Sequence, residues 1–245
     1  MRDCVVVGCG RSGTSLAAGL LARAGYDCGD DLLPADDGGP TGFFEASRMN
    51  AINERLLAPY DGEPPAPNGY SRPLRDGERW LSLLPPDVEV RAPEELRQAM
   101  TEAIPSSPYC CKDPRFGYTL GAWRPLFAGA LFVCVFRHPL ATAMSIAGQV
   151  RYGDLTVDGA TSAEIWKAIY RRVLGAHRHH GQWLFVHYEQ LLDGSGVSRL
   201  GRALGARLDA QLADRELSRS HPGERIPADS AAIYRELCAH AGHAA

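Results

Sequence analysis

A glycine-rich segment between an apolar run and a helical pattern constrains the fold more than any other part of the chain. Residues 4–7 read CVVV, residues 8–15 read GCGRSGTS, and leucines then recur at helical spacing from Leu16 until Gly25. A strand, a glycine turn and a helix start in this order bind anions, because backbone N–H groups point inward and the helix N-terminus adds partial positive charge. The sequence therefore predicts a phosphate-binding loop.

Other apolar runs define the fold class. Residues 131–136 and 183–186, with a weaker run at 109–111, are continuously apolar rather than alternating. Continuous runs are typical of parallel strands that helices cover on both faces. A helical pattern lies between two of them, at 163–177. We predict a single α/β domain over 1–245, with a central, mostly parallel sheet flanked by helices and a P-loop NTPase-like fold.

Composition narrows the class of protein. A net charge of -3 argues against a general nucleic-acid binder. The seven cysteines show no CxxC pair or metal-ligand spacing, which indicates reduced thiols and no bound metal. The longest apolar stretch, 126–136, is far shorter than the ~20 residues that cross a bilayer. We expect a cytoplasmic protein without a membrane span or a nucleic-acid partner, and the oligomeric state stays open.

The stretch 59–93 differs from the rest, since it is rich in proline and glycine and has no clear period. Loops of this length are uncommon in compact domains unless they are functional or disordered. We interpret 58–108 as a variable insertion, either a cover over an acceptor site or a surface segment without function. Its aromatic residues Tyr60, Tyr70 and Trp80 either line an apolar pocket or belong to the core.

The glycine loop lacks the lysine of nucleotide triphosphatases, which reaches the β- and γ-phosphates. Thr14 stands at that position, and Arg11 supplies positive charge from inside the loop. A triphosphate with Mg²⁺ is therefore a poor fit. The dinucleotide pattern GxGxxG is met by Gly8, Gly10 and Gly13. No convincing second strand precedes the acidic residue that such a site requires about 20 residues later.

The run from Gly8 to Ser15 after an N-terminal strand resembles the 5′-phosphosulfate loop of bacterial and Golgi-type sulfotransferases. Those enzymes carry an arginine or lysine at the position of Arg11. The resemblance implies the donor 3′-phosphoadenosine 5′-phosphosulfate, and it makes Arg11 a catalytic candidate beside the transferred group. The loop residues implied to surround the phosphosulfate are Gly10, Arg11, Ser12, Gly13, Thr14 and Ser15.

A second motif follows the run at 131–136. Arg137 comes next, with a proline two residues later and Ser145 eight residues later. Arg137 is thus predicted at the carboxyl end of a buried strand, where open α/β sheets bind ligands. The spacing resembles the 3′-phosphate motif of sulfotransferases, which implies that Arg137 and Ser145 bind the 3′-phosphate. Family members often close this site with a basic C-terminal loop. Arg225 or Arg219 is the candidate here, although the familiar Arg-Lys-Gly form is absent.

Two further segments carry candidates for the chemistry, GFFE at 42–45 and KDPR at 112–115. Sulfuryl transfer requires a base for the acceptor proton and cations for the charge on the transferring and bridging oxygens. The segments resemble those that carry the catalytic glutamate and lysine of some carbohydrate sulfotransferases. We predict Glu45 as the general base and Lys112 as the stabiliser of the leaving-group oxygen. Three neighbours are candidates for acceptor binding: Phe43, Phe44 and Arg115.

Simpler roles stay open for these residues. Glu45 is also suited to the start of a helix, where the macrodipole favours an acid. Lys112 and Arg115 are also suited to an ion-pair cluster with Asp113. Histidine is the rival base, since cytosolic sulfotransferases use one, and His138 is the candidate beside the second motif.

Together the motifs predict a sulfotransferase that moves a sulfuryl group from 3′-phosphoadenosine 5′-phosphosulfate to a hydroxyl of a small-molecule, lipid or carbohydrate acceptor. The nucleotide product is 3′,5′-adenosine bisphosphate (PAP), and no metal takes part. Two alternatives stay open: a P-loop kinase acting on a small molecule or nucleotide, and a catalytically inactive nucleotide-binding protein. The missing loop lysine opposes the first, and the presence of Glu45 and Lys112 opposes the second.

Overall fold

The computed structural model describes residues 1–35, 42–61, 70, 72–149, 151–152, 155–210 and 226–244. A parallel four-stranded sheet lies at the centre of the domain. Its strands are β1 (Cys4–Val7), β2 (Cys110–Lys112), β3 (Leu131–Phe136) and β6 (Gln182–His187). A separate antiparallel pair consists of β4 (Arg151–Tyr152) and β5 (Leu155–Thr156). The predicted parallel sheet is confirmed, including the bounds of β1 and β3.

Helices cover both faces of this sheet. In chain order, those in the described part of the chain are α1 (Thr14–Arg23), α2 (Ser47–Leu57), α3 (Glu94–Glu102), α4 (Phe116–Trp123), α5 (Pro139–Gln149), α6 (Gly159–Gly175), α7 (Tyr188–Leu192), α8 (Ser195–Leu204) and α9 (Ala228–Ala241). Short 3₁₀ turns occur at Ala58–Tyr60, Arg79–Leu81, Arg124–Leu126 and His177–His179. None of the described helices combines the length and apolar character that a membrane crossing requires.

The two faces of the sheet explain why β1 and β3 are apolar throughout. In β1, Val5 and Val7 belong to one core cluster, while Cys4 and Val6 belong to the other. The first cluster packs on α2, α4, α6 and α9, and the second on α1 and α8. Because successive side chains of a strand point to opposite faces, a strand covered on both sides has no polar positions. The α/β fold class is therefore confirmed.

Strand order sets the position of the site. The order β2-β1-β3-β6 places β1 and β3 side by side in the interior of the sheet. From β1 the chain continues to β2 on one side, whereas from β3 it continues to β6 on the other. The loops that leave the carboxyl ends of β1 and β3 therefore diverge and open a crevice, where open α/β sheets bind ligands.

The described parts of the proline-rich segment 58–108 pack into the main core. Buried side chains from it include Leu74, Leu81, Leu84, Val90, Leu96 and Met100. The Tyr118 hydroxyl of α4 donates to the Ser82 carbonyl over 2.7 Å. Tyr70 is also buried, and its hydroxyl donates to the Leu81 carbonyl over 2.9 Å. These contacts fix the backbone at the C-terminal end of the 3₁₀ turn at Arg79–Leu81.

Candidate active site

The glycine loop after β1 has the backbone geometry of an anion site. Arg11 (φ 69°) and Gly13 (φ 94°) both adopt left-handed conformations, and Gly13 is the N-cap of α1. No side chain caps α1 by a hydrogen bond, and its first turn holds no acidic residue. The partial positive charge of the helix start is therefore not neutralised by a local side chain. A left-handed arginine costs about 1–3 kcal/mol, a strain typical of functional loops.

Two aromatic rings pack against the loop, one near each end. A Cβ atom on Gly10 would lie 2.7 Å from Cε3 of Trp80, and one on Gly13 would lie 2.5 Å from Cδ2 of Tyr188. Both separations are far below van der Waals contact, so a side chain at either position would have to displace the neighbouring ring. Trp80 comes from the segment 58–108, whereas Tyr188 follows β6. The loop is thus enclosed by two regions that are distant in sequence.

Side chains join the loop to helix α5 across the crevice. Nε of Arg11 donates to the Ser145 hydroxyl over 3.2 Å, and the hydroxyls of Ser12 and Thr142 lie 3.3 Å apart. The helix begins at Pro139, directly after β3 and the Arg137–His138 pair. The residues predicted from the two separate motifs are therefore brought into direct contact.

Arg137 is held beside the loop by an aromatic face. Its side chain is buried, and its guanidinium carbon lies 4.5 Å from the centroid of the Tyr188 ring. This distance is that of a cation–π interaction. Burial lowers the pKa of Arg137, against the opposing influence of Tyr188 and Glu189. A desolvated arginine in this setting favours an anionic ligand.

Lys112, the last residue of β2, connects the loop with Glu45. Its Nζ donates to Oε1 of Glu45 over 2.5 Å, to the Ser15 hydroxyl over 3.1 Å and to the Phe43 carbonyl over 3.1 Å. Oε2 of Glu45 accepts from the side-chain amide (Nδ2) of Asn50 over 3.0 Å. Burial raises the pKa of Glu45 and outweighs the opposing effect of Lys112. A carboxylate with a raised pKa is a better proton acceptor than an ordinary one.

The residue before Glu45 has an unusual backbone. Phe44 adopts φ 55°, a left-handed conformation that is rare for a bulky side chain. Its ring lies against Gly19 of α1, where an added Cβ would be 2.9 Å from Cε2 of Phe44. Packing of this ring thus helps to hold the strained turn that points Glu45 at Lys112. The side chain of Phe44 packs against the core cluster that contains α1.

Arg115 belongs to a buried ion-pair cluster behind Glu45. Its Nε donates to Oε1 of Glu54 over 2.5 Å, and its NH1 group lies 3.1 Å from Oδ1 of Asp113 and 4.0 Å from Oε2 of Glu45. The other oxygen of Glu54 accepts from Arg79 over 2.8 Å. Arg79 in turn donates to Asp61 over 2.7 Å and also pairs with Asp76. These contacts agree with the ion-pair alternative for Arg115, and its role toward the acceptor stays a prediction.

The structure gathers most of the predicted residues at one edge of the sheet. Arg11 to Ser15, Arg137 and Ser145 surround the crevice, and Lys112 and Glu45 adjoin it. Arg225 and Arg219 lie outside the described residues. The rival base His138 packs edge-on against Tyr234 at 5.3 Å between ring centroids. Burial and the neighbouring Arg137 lower the pKa of His138.

Three residues at the site escaped the motif analysis. Glu54 lies on α2 between Asn53 and Arg55, Arg79 lies in the segment 58–108, and Tyr188 directly follows β6. No local pattern identifies them, because each acts through a partner far away in sequence. Within the described ranges, His, Cys, Asp and Glu side chains form no group of three or more that could hold a metal ion.

Known structures resemble this fold over its whole length. The sulfotransferase domain from the Synechococcus PCC 7002 olefin synthase is 18% identical, with a TM-score of 0.50, covering 96% of this chain and 94% of that one. The sulfotransferase domain from the curacin biosynthetic pathway is 14% identical, with a TM-score of 0.52, covering 97% and 98%. At such identities the likeness concerns the fold alone. No curated protein matches the chain significantly.

A match to a protein-family model assigns this chain to a family, which the similar structures alone do not. The model described as "Sulfotransferase family" matches residues 4–209, which include the glycine loop, the Lys112 segment and the Arg137 motif. The match covers well over half of the chain and confirms the resemblance inferred from the motifs. The chain belongs to the sulfotransferase family.

Proposed function

We propose that this sulfotransferase takes its sulfuryl group from 3′-phosphoadenosine 5′-phosphosulfate and transfers it to a hydroxyl, with residues 1–245 acting as one domain. The hydrogen bond from Arg11 to Ser145 carries the proposal. It brings the loop suited to a 5′-phosphosulfate into contact with the helix suited to a 3′-phosphate. A donor with phosphate groups at both positions matches this pair of anion-binding elements better than a nucleotide with one.

Different residues would bind the two ends of the donor. The loop from Gly10 to Ser15 would hold the 5′-phosphosulfate with its backbone amides and with Arg11. Arg137 and Ser145 would hold the 3′-phosphate. Burial of Arg137 favours this role, because the electrostatic attraction between a guanidinium and a phosphate is stronger where water is displaced.

Glu45 and Lys112 are suited to the transfer step. The acceptor hydroxyl oxygen forms a bond to sulfur while the bond from sulfur to the bridging phosphate oxygen breaks. The acceptor proton passes to Glu45, and the electron pair of the broken bond stays on the phosphate of PAP. Lys112 contacts both Ser15 of the loop and Glu45, so it can stabilise the negative charge that develops on the bridging oxygen. Positioning of the two substrates supplies the remainder of the acceleration.

Calorimetric titration tests the donor assignment. We expect PAP to bind more tightly than 5′-AMP or than ATP with Mg²⁺. Arg137→Ala should weaken PAP binding by about 10- to 100-fold, which corresponds to the loss of one charged hydrogen-bonding partner. Arg97→Ala is the matched control, since Arg97 forms an exposed pair with Glu94 on α3. Preference for ATP with Mg²⁺ would favour the kinase alternative, and absence of binding by all three nucleotides would overturn the proposal.

A further inference from the structure

Beyond the donor site, we infer that Trp80 contacts the acceptor, and that the acceptor is an uncharged alcohol or phenol on an apolar or aromatic carbon frame. The inference rests on the proposed function, because it takes the donor's orientation from it. Three observations support it: the position of the Trp80 ring on the loop, the rigid backbone that presents it, and the charge balance around it.

The position of Trp80 follows from the two ends of the loop. Tyr188 lies against Gly13 and holds Arg137, the residue assigned to the 3′-phosphate. Trp80 lies against Gly10, three residues before Gly13 in the loop. The position of a Cβ on Gly10 is also 3.8 Å from Pro114, two residues after Lys112. Trp80 therefore adjoins the sulfuryl end of the donor, where the acceptor must approach for in-line attack.

The backbone that carries Trp80 is anchored on both sides. Arg79 and Leu81 are buried, whereas Trp80 between them is only partly buried. Arg79 is fixed by its ion pairs with Asp61 and Glu54, and the Leu81 carbonyl accepts from Tyr70. A large aromatic ring that remains partly exposed on a fixed backbone beside a catalytic loop is typical of a ligand-contacting residue.

The charges on this side of the loop disfavour an anionic acceptor. The four basic residues Arg72, Arg79, Lys112 and Arg115 are each paired with protein carboxylates. Five carboxylates of these pairs are buried: Glu45, Glu54, Asp61, Glu78 and Asp113. This described set thus contains more acids than bases. The four bases are thus already paired with the protein's own carboxylates, so an anionic acceptor would gain little from them, whereas an uncharged hydroxyl on a flat or apolar frame would pack on the indole.

Binding to the PAP-loaded protein tests the inference without requiring the natural acceptor. The neutral probes are 2-naphthol and its saturated analogue 2-decalol, and the charged probe is 6-hydroxynaphthalene-2-sulfonate. We expect at least one neutral probe to bind, and the sulfonate to bind at least about tenfold more weakly. Trp80→Ala should weaken neutral-probe binding about tenfold or more and leave the Kd of PAP within about twofold.

Two further variants distinguish contact from folding. Trp80→Leu keeps an apolar side chain and should weaken binding of 2-naphthol more than that of 2-decalol. Trp183→Phe is the matched control for loss of an indole, because Trp183 stacks on Phe132 at 5.1 Å, on β6 and β3. The inference is overturned if neither neutral probe binds, if the sulfonate binds equally well, or if both Trp80 variants bind like the parent. Absence of PAP binding by the parent protein would instead overturn the proposed function.

Discussion

Arg137 and Arg115 are both buried, and both follow strands of the same sheet, but their surroundings differ. At Arg137, burial prevails and lowers the pKa, and the guanidinium lies over the face of the Tyr188 ring. At Arg115, burial also acts to lower the pKa, but Asp113, Glu54 and Glu45 outweigh it and raise it. Burial thus has the larger influence on the pKa of Arg137, whereas three carboxylates of the protein have the larger influence on that of Arg115.

The difference separates the site into two sides with different tasks. The proposed donor side, formed by the loop, α5 and Tyr188, contributes cations and backbone amides beside an aromatic ring. The proposed acceptor side, formed by Lys112, Glu45 and the ion-pair cluster behind them, contributes charges that are paired with one another. Buried ion pairs of the second kind add little net stability, but the loss of one partner is costly. They are suited to hold a base and a lysine in fixed positions.

Removal of the proposed base should give the largest loss of activity among these variants. Glu45→Gln should reduce turnover by about 10²- to 10⁴-fold, the range for a lost general base, and should leave the Kd of PAP nearly unchanged. Sulfated product is measured by mass spectrometry, with Glu94→Gln on the exposed face of α3 as the control. Full turnover by Glu45→Gln would exclude Glu45 as the base and favour a histidine.

The pH dependence of the parent enzyme gives the same assignment a second readout. A base must be unprotonated, so activity should rise as the pH rises through the pKa of Glu45. Because burial raises that pKa, the acid limb should lie above the ordinary value of 4.5. An acid limb at or below this value would contradict the environment described for Glu45.

Removal of a shared carboxylate from the ion-pair cluster should lower the stability of the protein rather than its affinity for the donor. Glu54→Gln leaves Arg79 and Arg115 without a shared buried carboxylate, and we expect a loss of about 3–5 kcal/mol in the free energy of unfolding. Glu164→Gln, which affects an exposed carboxylate paired with Lys167, should cost less than about 1 kcal/mol. Denaturant unfolding measures both variants. Equal stability of the two would show that the cluster is not cooperative.

Loss of the aromatic face should give the smallest effect, confined to the donor side. Tyr188→Leu removes a cation–π interaction worth about 0.5–2 kcal/mol, so the Kd of PAP should rise about 2- to 30-fold. Tyr188→Phe keeps the ring and should bind PAP like the parent. Calorimetry distinguishes the two variants. Equal losses in both would assign the effect to the hydroxyl or to packing rather than to the ring face.

The donor side was largely predictable because its information is local. The glycine loop, its strand and its helix are contiguous, and Arg137 and Ser145 are separated by one strand end and two helical turns. Short-range preferences decide such units: glycine for left-handed turns, and continuous apolar residues for buried parallel strands. The family resemblance and the fold class were confirmed for this reason.

The acceptor side was less predictable because its contacts join distant residues. Glu54 meets Arg79 and Arg115 across 25 and 61 positions of the chain, and Lys112 meets Glu45 across 67. The segment 58–108 has no period that indicates burial, yet Leu81, Leu84 and Met100 pack into the main core. Such packing depends on which helices lie opposite, which composition does not encode.

By itself the sequence determined a parallel α/β domain, a glycine-rich loop between its first strand and first helix, and the order of its motifs, because each of these follows from neighbours along the chain. Only the tertiary structure decided that Arg11 donates a hydrogen bond to Ser145, that the guanidinium of Arg137 packs on the Tyr188 ring, and that Trp80 packs against Gly10. The strand order decides these contacts, since it brings the carboxyl ends of β1, β2, β3 and β6 to one edge of the sheet.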